Sequence, residues 1–161
     1  MGRLDGKVAI VTGAARGMGE AIVRLFAAEG AAVVIADVLD DEADAVAESI
    51  RTRVVSVHLE VADEASWRAV LAETVATFGT PDVLVNNAGI LEMGPIVDTS
   101  VETFHRVVEV DLVGPFLGIK VVGGAMAEAG RGSIVNTSSA AGIIGFSQVG
   151  RSEEHTSELQ S

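Results

Sequence analysis

Short, mostly apolar runs recur along the chain, and each is closed by a polar residue or a glycine. They stand at residues 8–12, 32–36, 54–59, 83–86 and 133–137. Runs of this length that are rich in valine and isoleucine are typical of strands buried on both faces of a parallel sheet. The pattern therefore predicts five strands.

The stretches between these runs carry their apolar residues at helical spacing. They predict helices at residues 19–29, 40–50, 64–78 and about 100–129, and Asp63 is suited to cap the third of them. Strands that alternate with such helices form βαβ units with right-handed crossovers. The sequence therefore predicts an α/β fold with a doubly wound parallel sheet.

Composition fits a globular chain and excludes several classes of protein. The 161 residues are 48% hydrophobic, enough for one domain with a sizeable core. The formal net charge of −12 disfavours nucleic acid and anionic membrane surfaces as partners. No apolar run approaches the roughly 18 residues of a membrane span, so we expect no membrane partner.

The sequence lacks several features that would indicate secretion, disulfide bonds or metal binding. Residues 1–7 carry no apolar signal segment, so we expect a cytoplasmic protein. The chain has no cysteine, and its three histidines share no ligand spacing. We therefore expect neither a disulfide framework nor a metal site.

Glycines cluster between the first predicted strand and the first predicted helix, at Gly13, Gly17 and Gly19. Glycine lets the backbone approach a ligand closely, and a helix N-terminus offers free N–H groups to a phosphate. The alternative is an ordinary strand–helix turn. The strand before and the helix after favour a dinucleotide-binding loop.

Asp37 closes the second predicted strand, 24 residues after Gly13. A carboxylate there accepts hydrogen bonds from the adenosine ribose hydroxyls and repels a 2′-phosphate, which favours NAD over NADP. Val38 adds no positive charge. Arg16 in the glycine loop argues against a preference for NAD, since its guanidinium can reach a 2′-phosphate. The alternative for Asp37 is a solvated acid at a strand end or a helix cap.

Two further motifs give the chain a specific resemblance. These are Asn-Asn-Ala-Gly at residues 86–89, after the fourth strand, and Asn-Thr-Ser-Ser-Ala-Ala-Gly at residues 136–142. With the TGxxxGxG spacing of the glycine loop, they resemble the short-chain dehydrogenase/reductase family over residues 4–150. The resemblance implies a Rossmann fold with strand order 3-2-1-4-5 that ends, in this chain, after strand five.

The resemblance also implies which residues hold the cofactor NAD. Glu60 stands where the family usually has aspartate against the adenine, which is a departure by one methylene. Together with the residues derived above, the implied cofactor-binding set is Gly13, Arg16, Gly17, Met18, Gly19, Asp37, Val38, Glu60, Val61, Asn87, Ala88 and Gly89.

Catalytic roles are likewise implied by the resemblance. Ser139 matches the serine that polarises the substrate carbonyl, and Asp111 stands where the family usually has an asparagine that supports a water near the catalytic lysine. The family's tyrosine base and its lysine are replaced by Ser152 and Thr156, and the chain contains no tyrosine. We therefore expect this chain to be inactive as it stands.

Residues 151–161 coincide with a one-frame translation of a sequencing-library adapter; the alternative is a real, divergent polar tail. On the first interpretation, residues 1–150 are the native NAD-binding domain. The intact parent is expected to form a homo-oligomer, a dimer or tetramer. We expect the long helix, through Val107, Val108, Leu117 and Val121, to expose its apolar face in this chain.

Three functions remain open from the sequence. The first is an NAD-dependent oxidoreductase that acts on a small-molecule secondary alcohol or ketone. The second is a non-catalytic dinucleotide-binding module. The third is that the printed polypeptide does not occur in a cell. The gene sequence beyond the codon for Gly150 separates them.

Overall fold

A five-stranded parallel sheet forms the centre of the computed structural model, which describes residues 2–50 and 53–140. The strands are β1 Val8–Thr12, β2 Ala32–Asp37, β3 Val54–His58, β4 Val83–Asn86 and β5 Ser133–Asn136. Their order is β3-β2-β1-β4-β5, and every pair is parallel. The predicted order is confirmed, and each strand lies within one residue of its predicted bounds.

Four main helices connect the strands. They are α1 Gly17–Ala28, α2 Asp40–Ile50, α3 Glu64–Thr77 and the long helix Val101–Glu128. The carboxylate of Asp63 accepts the N–H groups of Ala65 at 3.0 Å and Ser66 at 3.2 Å, so the predicted cap of α3 is confirmed. A short 3₁₀ turn at Ile96–Asp98 precedes the long helix.

Alternate residues of each central strand pack into two separate cores. In β2, Val33 and Ile35 join the core that includes Val23 of α1 and Val46 of α2. The intervening residues of β2 join the core made with α3 and the long helix. Helices thus cover both faces of the sheet, which confirms the doubly wound architecture.

The long helix corrects the expectation that no stretch approaches the length of a membrane span. By length and composition alone, Val101–Glu128 is long and apolar enough to cross a membrane. Asp111, Lys120 and several glycines interrupt its apolar runs, although the mean hydropathy of the stretch stays high. Leu117, Val121, Val122 and Met126 are buried in the core against the sheet, so this helix is part of the packed fold.

The expected exposure of this helix is also corrected. Leu117 and Val121 are buried in the core against the sheet, Val107 is also buried, and Val108 is half-buried. The exposed apolar residues of the helix are Val101, Leu112, Phe116 and Ile119. Two π-helical segments, Glu109–Val113 and Ile119–Gly123, shift the helical register between these faces.

A buried carboxylate ties together the amino ends of three strands. Asp82, just before β4, accepts the N–H of Val8 at 3.0 Å and the Nε–H of Arg131 at 2.7 Å, and Lys7 Nζ lies 3.6 Å away. Burial raises the pKa of Asp82, but the Arg131 and Val8 hydrogen bonds and the Lys7 charge outweigh it. The net pKa is therefore below its ordinary value.

Trp67 of α3 fixes how closely the long helix approaches the sheet. The side chain is fully buried, and its indole N–H donates to the carbonyl oxygen of Val61 at 2.9 Å. The long helix passes over it at Gly118, where a Cβ atom would lie 2.7 Å from both Trp67 Cη2 and Asn86 Oδ1. This approach requires glycine.

We predict that Gly118→Ala lowers the free energy of unfolding by about 1–3 kcal/mol, because the added methyl overpacks the contact with Trp67. Gly124→Ala, in the same helix, is the control, since a Cβ there meets nothing within 4 Å. It should raise the stability by about 0.5–1 kcal/mol. Urea unfolding of the 161-residue chain measures both. Equal effects of the two substitutions would contradict the packing argument.

Candidate functional site

A cleft of about 870 Å³ opens at the carboxyl ends of the central strands. It lies where the strand order reverses between β1 and β4, which is where ligands bind in open α/β sheets. The residues that line it are Gly13, Arg16, Met18, Gly19, Ala36, Asp37, Val38, Leu39, Leu59, Glu60, Val61, Ala62, Asp63, Asn87, Ala88, Gly89, Ile90, Arg106, Glu109 and Val110.

The predicted glycine loop forms one wall of this cleft. Gly13 has a φ of +62°, and a Cβ atom there would lie 2.6 Å from Ala88 Cα, so only glycine fits. Its N–H donates to the carbonyl oxygen of Ala36 at 2.9 Å. Arg16 is the N-cap of α1 but gives the helix no side-chain cap. The first N–H groups of α1 therefore remain available to an anion.

Thr12 and Asn87 connect the glycine loop to the end of β4. The Thr12 hydroxyl oxygen accepts the backbone N–H groups of Asn87 and Ala88, both at 3.0 Å. The side-chain amide of Asn87 donates to the carbonyl oxygens of Thr12 and Gly13, again at 3.0 Å. Within the described residues, Asn87 Oδ1 is buried without a hydrogen-bond partner.

Asp37 lies on the opposite side of the glycine loop, at the end of β2. Its side chain is buried, so the alternative of a solvated acid is wrong. One carboxylate oxygen accepts the N–H of Ala15 at 2.9 Å, and the other accepts the N–H of Leu39 at 3.1 Å. Val38 is half exposed beside it.

Glu60 and Val61 form the cleft wall beyond Asp37. The Glu60 carboxylate accepts the N–H of Ala62 at 3.4 Å, a contact within its own turn. Its backbone N–H donates to Ser66 Oγ at 3.0 Å, which holds the turn against α3. Val61 is buried and packs against Gly114 of the long helix.

The two predicted catalytic residues and Gly17 lie outside the described lining of the cleft. Asp111 accepts the N–H of Ile90 at 2.9 Å and so fixes the segment that follows Gly89. Burial raises the pKa of Asp111, and the Ile90 hydrogen bond offsets this only partly. Ser139 is exposed shortly after β5. Ser152 and Thr156 fall outside the described residues.

Sequence reasoning missed several residues that the fold brings to the site. The sequence places Thr12 at the end of a strand and at the start of the TGxxxGxG motif but assigns no contact to its hydroxyl, although a hydroxyl immediately before the glycine loop is a usable signal. No sequence motif marks Arg106 or Glu109 as a cleft residue, because only the course of the long helix brings them there. Arg106 forms an ion pair with Glu92, which ties the loop after β4 to that helix.

Comparison with known proteins agrees with this geometry. The chain belongs to the short chain dehydrogenase family, whose sequence model matches residues 7–151. Members of this family are oxidoreductases that typically use a nicotinamide dinucleotide. The resemblance inferred from the motifs is thus confirmed at the level of the family.

Curated relatives are similar over most of this chain. The 3-alpha-(or 20-beta)-hydroxysteroid dehydrogenase of Mycobacterium tuberculosis H37Rv is 51% identical over 144 residues, 89% of this chain and 55% of the relative. The trans-4-hydroxycyclohexanecarboxylate dehydrogenase of Sinomonas cyclohexanicum is 49% identical over 153 residues, which cover 89% of this chain and 59% of the relative. The chain thus spans about half the length of the curated relatives it matches.

We predict that Thr12→Val lowers the free energy of unfolding by about 1–3 kcal/mol, because the N–H groups of Asn87 and Ala88 lose their acceptor. Thr12→Ser keeps the hydroxyl and is the matched control, which should lose less than half as much. Chemical denaturation of both variants measures the difference. If serine were as destabilising as valine, the hydroxyl would not be the stabilising group.

Proposed function

We propose that the protein to which this chain belongs is a cytoplasmic, NAD-dependent oxidoreductase that transfers hydride between NAD(H) and a secondary alcohol or its ketone. The observation that carries the proposal is the buried carboxylate of Asp37, which lies in a cleft next to a glycine loop at a helix N-terminus. Family membership supports the oxidoreductase chemistry.

The cleft fits a dinucleotide in size and in chemistry. Its volume is in the usual range for cofactor sites. The free N–H groups at the start of α1 suit the pyrophosphate, and Asp37 suits the ribose hydroxyls. Asn87, Ala88 and Gly89 would hold the half nearer the centre of the sheet. When bound, the nicotinamide supplies the hydride acceptor.

Preference for NAD follows from the charges around Asp37. A carboxylate that is already buried cannot turn into solvent to escape a 2′-phosphate, and Val38 beside it offers no cation. Arg16 lines the same cleft and is the residue that works against this preference. The Asp37 carboxylate dominates this choice, because two backbone N–H groups hold it in place.

Substrate chemistry is proposed from the relatives and from one apolar segment. Both relatives described above are named for hydroxylated compounds that contain alicyclic rings. Leu91 and Met93, just after the cleft residue Ile90, expose their apolar side chains. A bulky alicyclic alcohol would match that surface. Ser139 would donate its hydroxyl to the substrate oxygen, and Asp111 would support the cleft wall through Ile90.

A homo-oligomer is proposed from the exposed face of the long helix. Leu112, Phe116 and Ile119 lie at helical spacing and are each more than two-fifths exposed. Apolar side chains that are contiguous on a helix face favour burial against a second copy.

We predict that the complete enzyme prefers NAD. The ratio of kcat/KM for NAD to that for NADP should favour NAD, and Asp37→Ala should shift it towards NADP by about 1–3 kcal/mol, because the ribose hydroxyls lose a buried acceptor and the 2′-phosphate loses a repulsive charge. Steady-state kinetics with both cofactors measures the ratio. A preference of the unmutated enzyme for NADP would overturn the cofactor assignment.

We also predict that the 161-residue chain itself does not turn over secondary alcohols. It contains no tyrosine, so it lacks the phenol that the family uses as general base. Loss of such a group costs about 10²–10⁴ in rate. NADH formation should be compared between this chain and a version extended by the native downstream sequence. Equal turnover would refute the prediction, whereas NAD binding without turnover in both would favour the non-catalytic alternative.

A further inference from the structure

Asp37 makes contacts that exceed what recognition of a ribose requires. Both of its carboxylate oxygens accept backbone N–H groups, from Ala15 at 2.9 Å and from Leu39 at 3.1 Å. The residue is only 8% exposed, so these bonds are shielded from competing water.

The two donors belong to different segments of the cleft wall. Ala15 lies in the middle of the glycine loop, between Gly13 and the start of α1. Leu39 lies immediately before α2. The backbone carbonyl oxygen of Asp37 also accepts the N–H of Leu59 at 2.9 Å, beyond the end of β3. One residue therefore links three segments that surround the same cavity.

We propose that Asp37 is a positioning residue for the pyrophosphate-binding loop, in addition to the ribose acceptor assigned to it under the proposed function. A carboxylate has about four acceptor sites, and the two N–H groups occupy two of them. The ribose hydroxyls can therefore bind without displacing Ala15. Discrimination between cofactors and the shape of the phosphate loop then depend on the same side chain.

This dual role separates two effects of removing the side chain. Loss of the negative charge favours a 2′-phosphate. Loss of the acceptor frees the N–H of Ala15 and loosens the loop that every dinucleotide needs. Asp37→Ala should therefore lower the affinity for NAD and gain less for NADP than loss of charge alone would give.

Amide hydrogen exchange of the ligand-free 161-residue chain tests the positioning role without any cofactor. In Asp37→Ala the amides of Ala15 and Leu39 should exchange about tenfold faster than in the unmutated chain, since each loses one hydrogen bond. Asp41→Ala is the control: it removes a nearby exposed carboxylate in the first turn of α2 and should leave the Ala15 amide unchanged. Unchanged exchange at Ala15 in Asp37→Ala would overturn the proposal.

Binding of NAD⁺ and NADP⁺ tests the consequence, with Asp37→Asn as the matched variant. Asparagine and alanine both remove the charge, but asparagine keeps one oxygen that can accept from Ala15 or Leu39. We expect Asp37→Asn to bind both dinucleotides about 2- to 10-fold more tightly than Asp37→Ala, with a similar ratio between them. Equal affinities of the two variants would show that only the charge matters and would overturn the proposal.

The two arms also separate this proposal from the proposed function. If the unmutated chain binds neither dinucleotide, the cofactor assignment fails while the exchange result still decides the role of Asp37. If Asp37→Ala does not fold, Asp37→Asn replaces it in the exchange arm. One of the two amides should then exchange faster and the other should not, and acceleration of neither would overturn the proposal.

Discussion

The hydroxyl of Thr12 is the contact on which the cleft depends. The ladder between the central strands β1 and β4 ends at the pair Val11 and Val85. Beyond it the chain must open, because the segments that follow these strands diverge at the point where the strand order reverses. There the Thr12 hydroxyl accepts the N–H groups of Asn87 and Ala88, which follow β4. It also donates its own hydrogen to the carbonyl oxygen of Val85 at 3.4 Å. A side chain thus continues the connection that the backbone can no longer make.

Much of the fold could be predicted because buried parallel strands leave a clear record in the sequence. The six residues of β2 are all buried, and five of them are apolar. A run of this length and composition is typical of a central strand in a parallel sheet. The long helix was harder. Whether Leu117 or Leu112 faces the sheet depends on the register after Glu109, and π-helical segments change that register without an obvious sequence signature. Asp111, Lys120 and the glycines of this helix interrupt its apolar runs, so its overall apolar character is not evident from continuous runs.

Some features of the candidate site could likewise be predicted from the sequence, and others could not. Gly13 and Asp37 could be identified because the backbone conformation and the charge at those positions permit few residue types. The role of Asp37 as acceptor for Ala15 could not, because it depends on how far the glycine loop lies from the end of β2. That distance is set by the packing of α1 against the sheet, a tertiary property that local spacing does not encode.

Asp82 and Asp111 show why the environment of an acidic residue must be considered together with its position in a motif. Three positive or N–H partners surround Asp82, and together they outweigh the cost of burial, so its pKa falls below the ordinary value. Asp111 is more exposed, but desolvation outweighs the hydrogen bond that it accepts from the Ile90 N–H, and its pKa rises. An asparagine at position 111, the residue usual in the family, would accept the same N–H through its carbonyl oxygen and carry no charge to desolvate. Aspartate here therefore keeps the geometry of the loop through the Ile90 hydrogen bond, while desolvation disfavours its charged form.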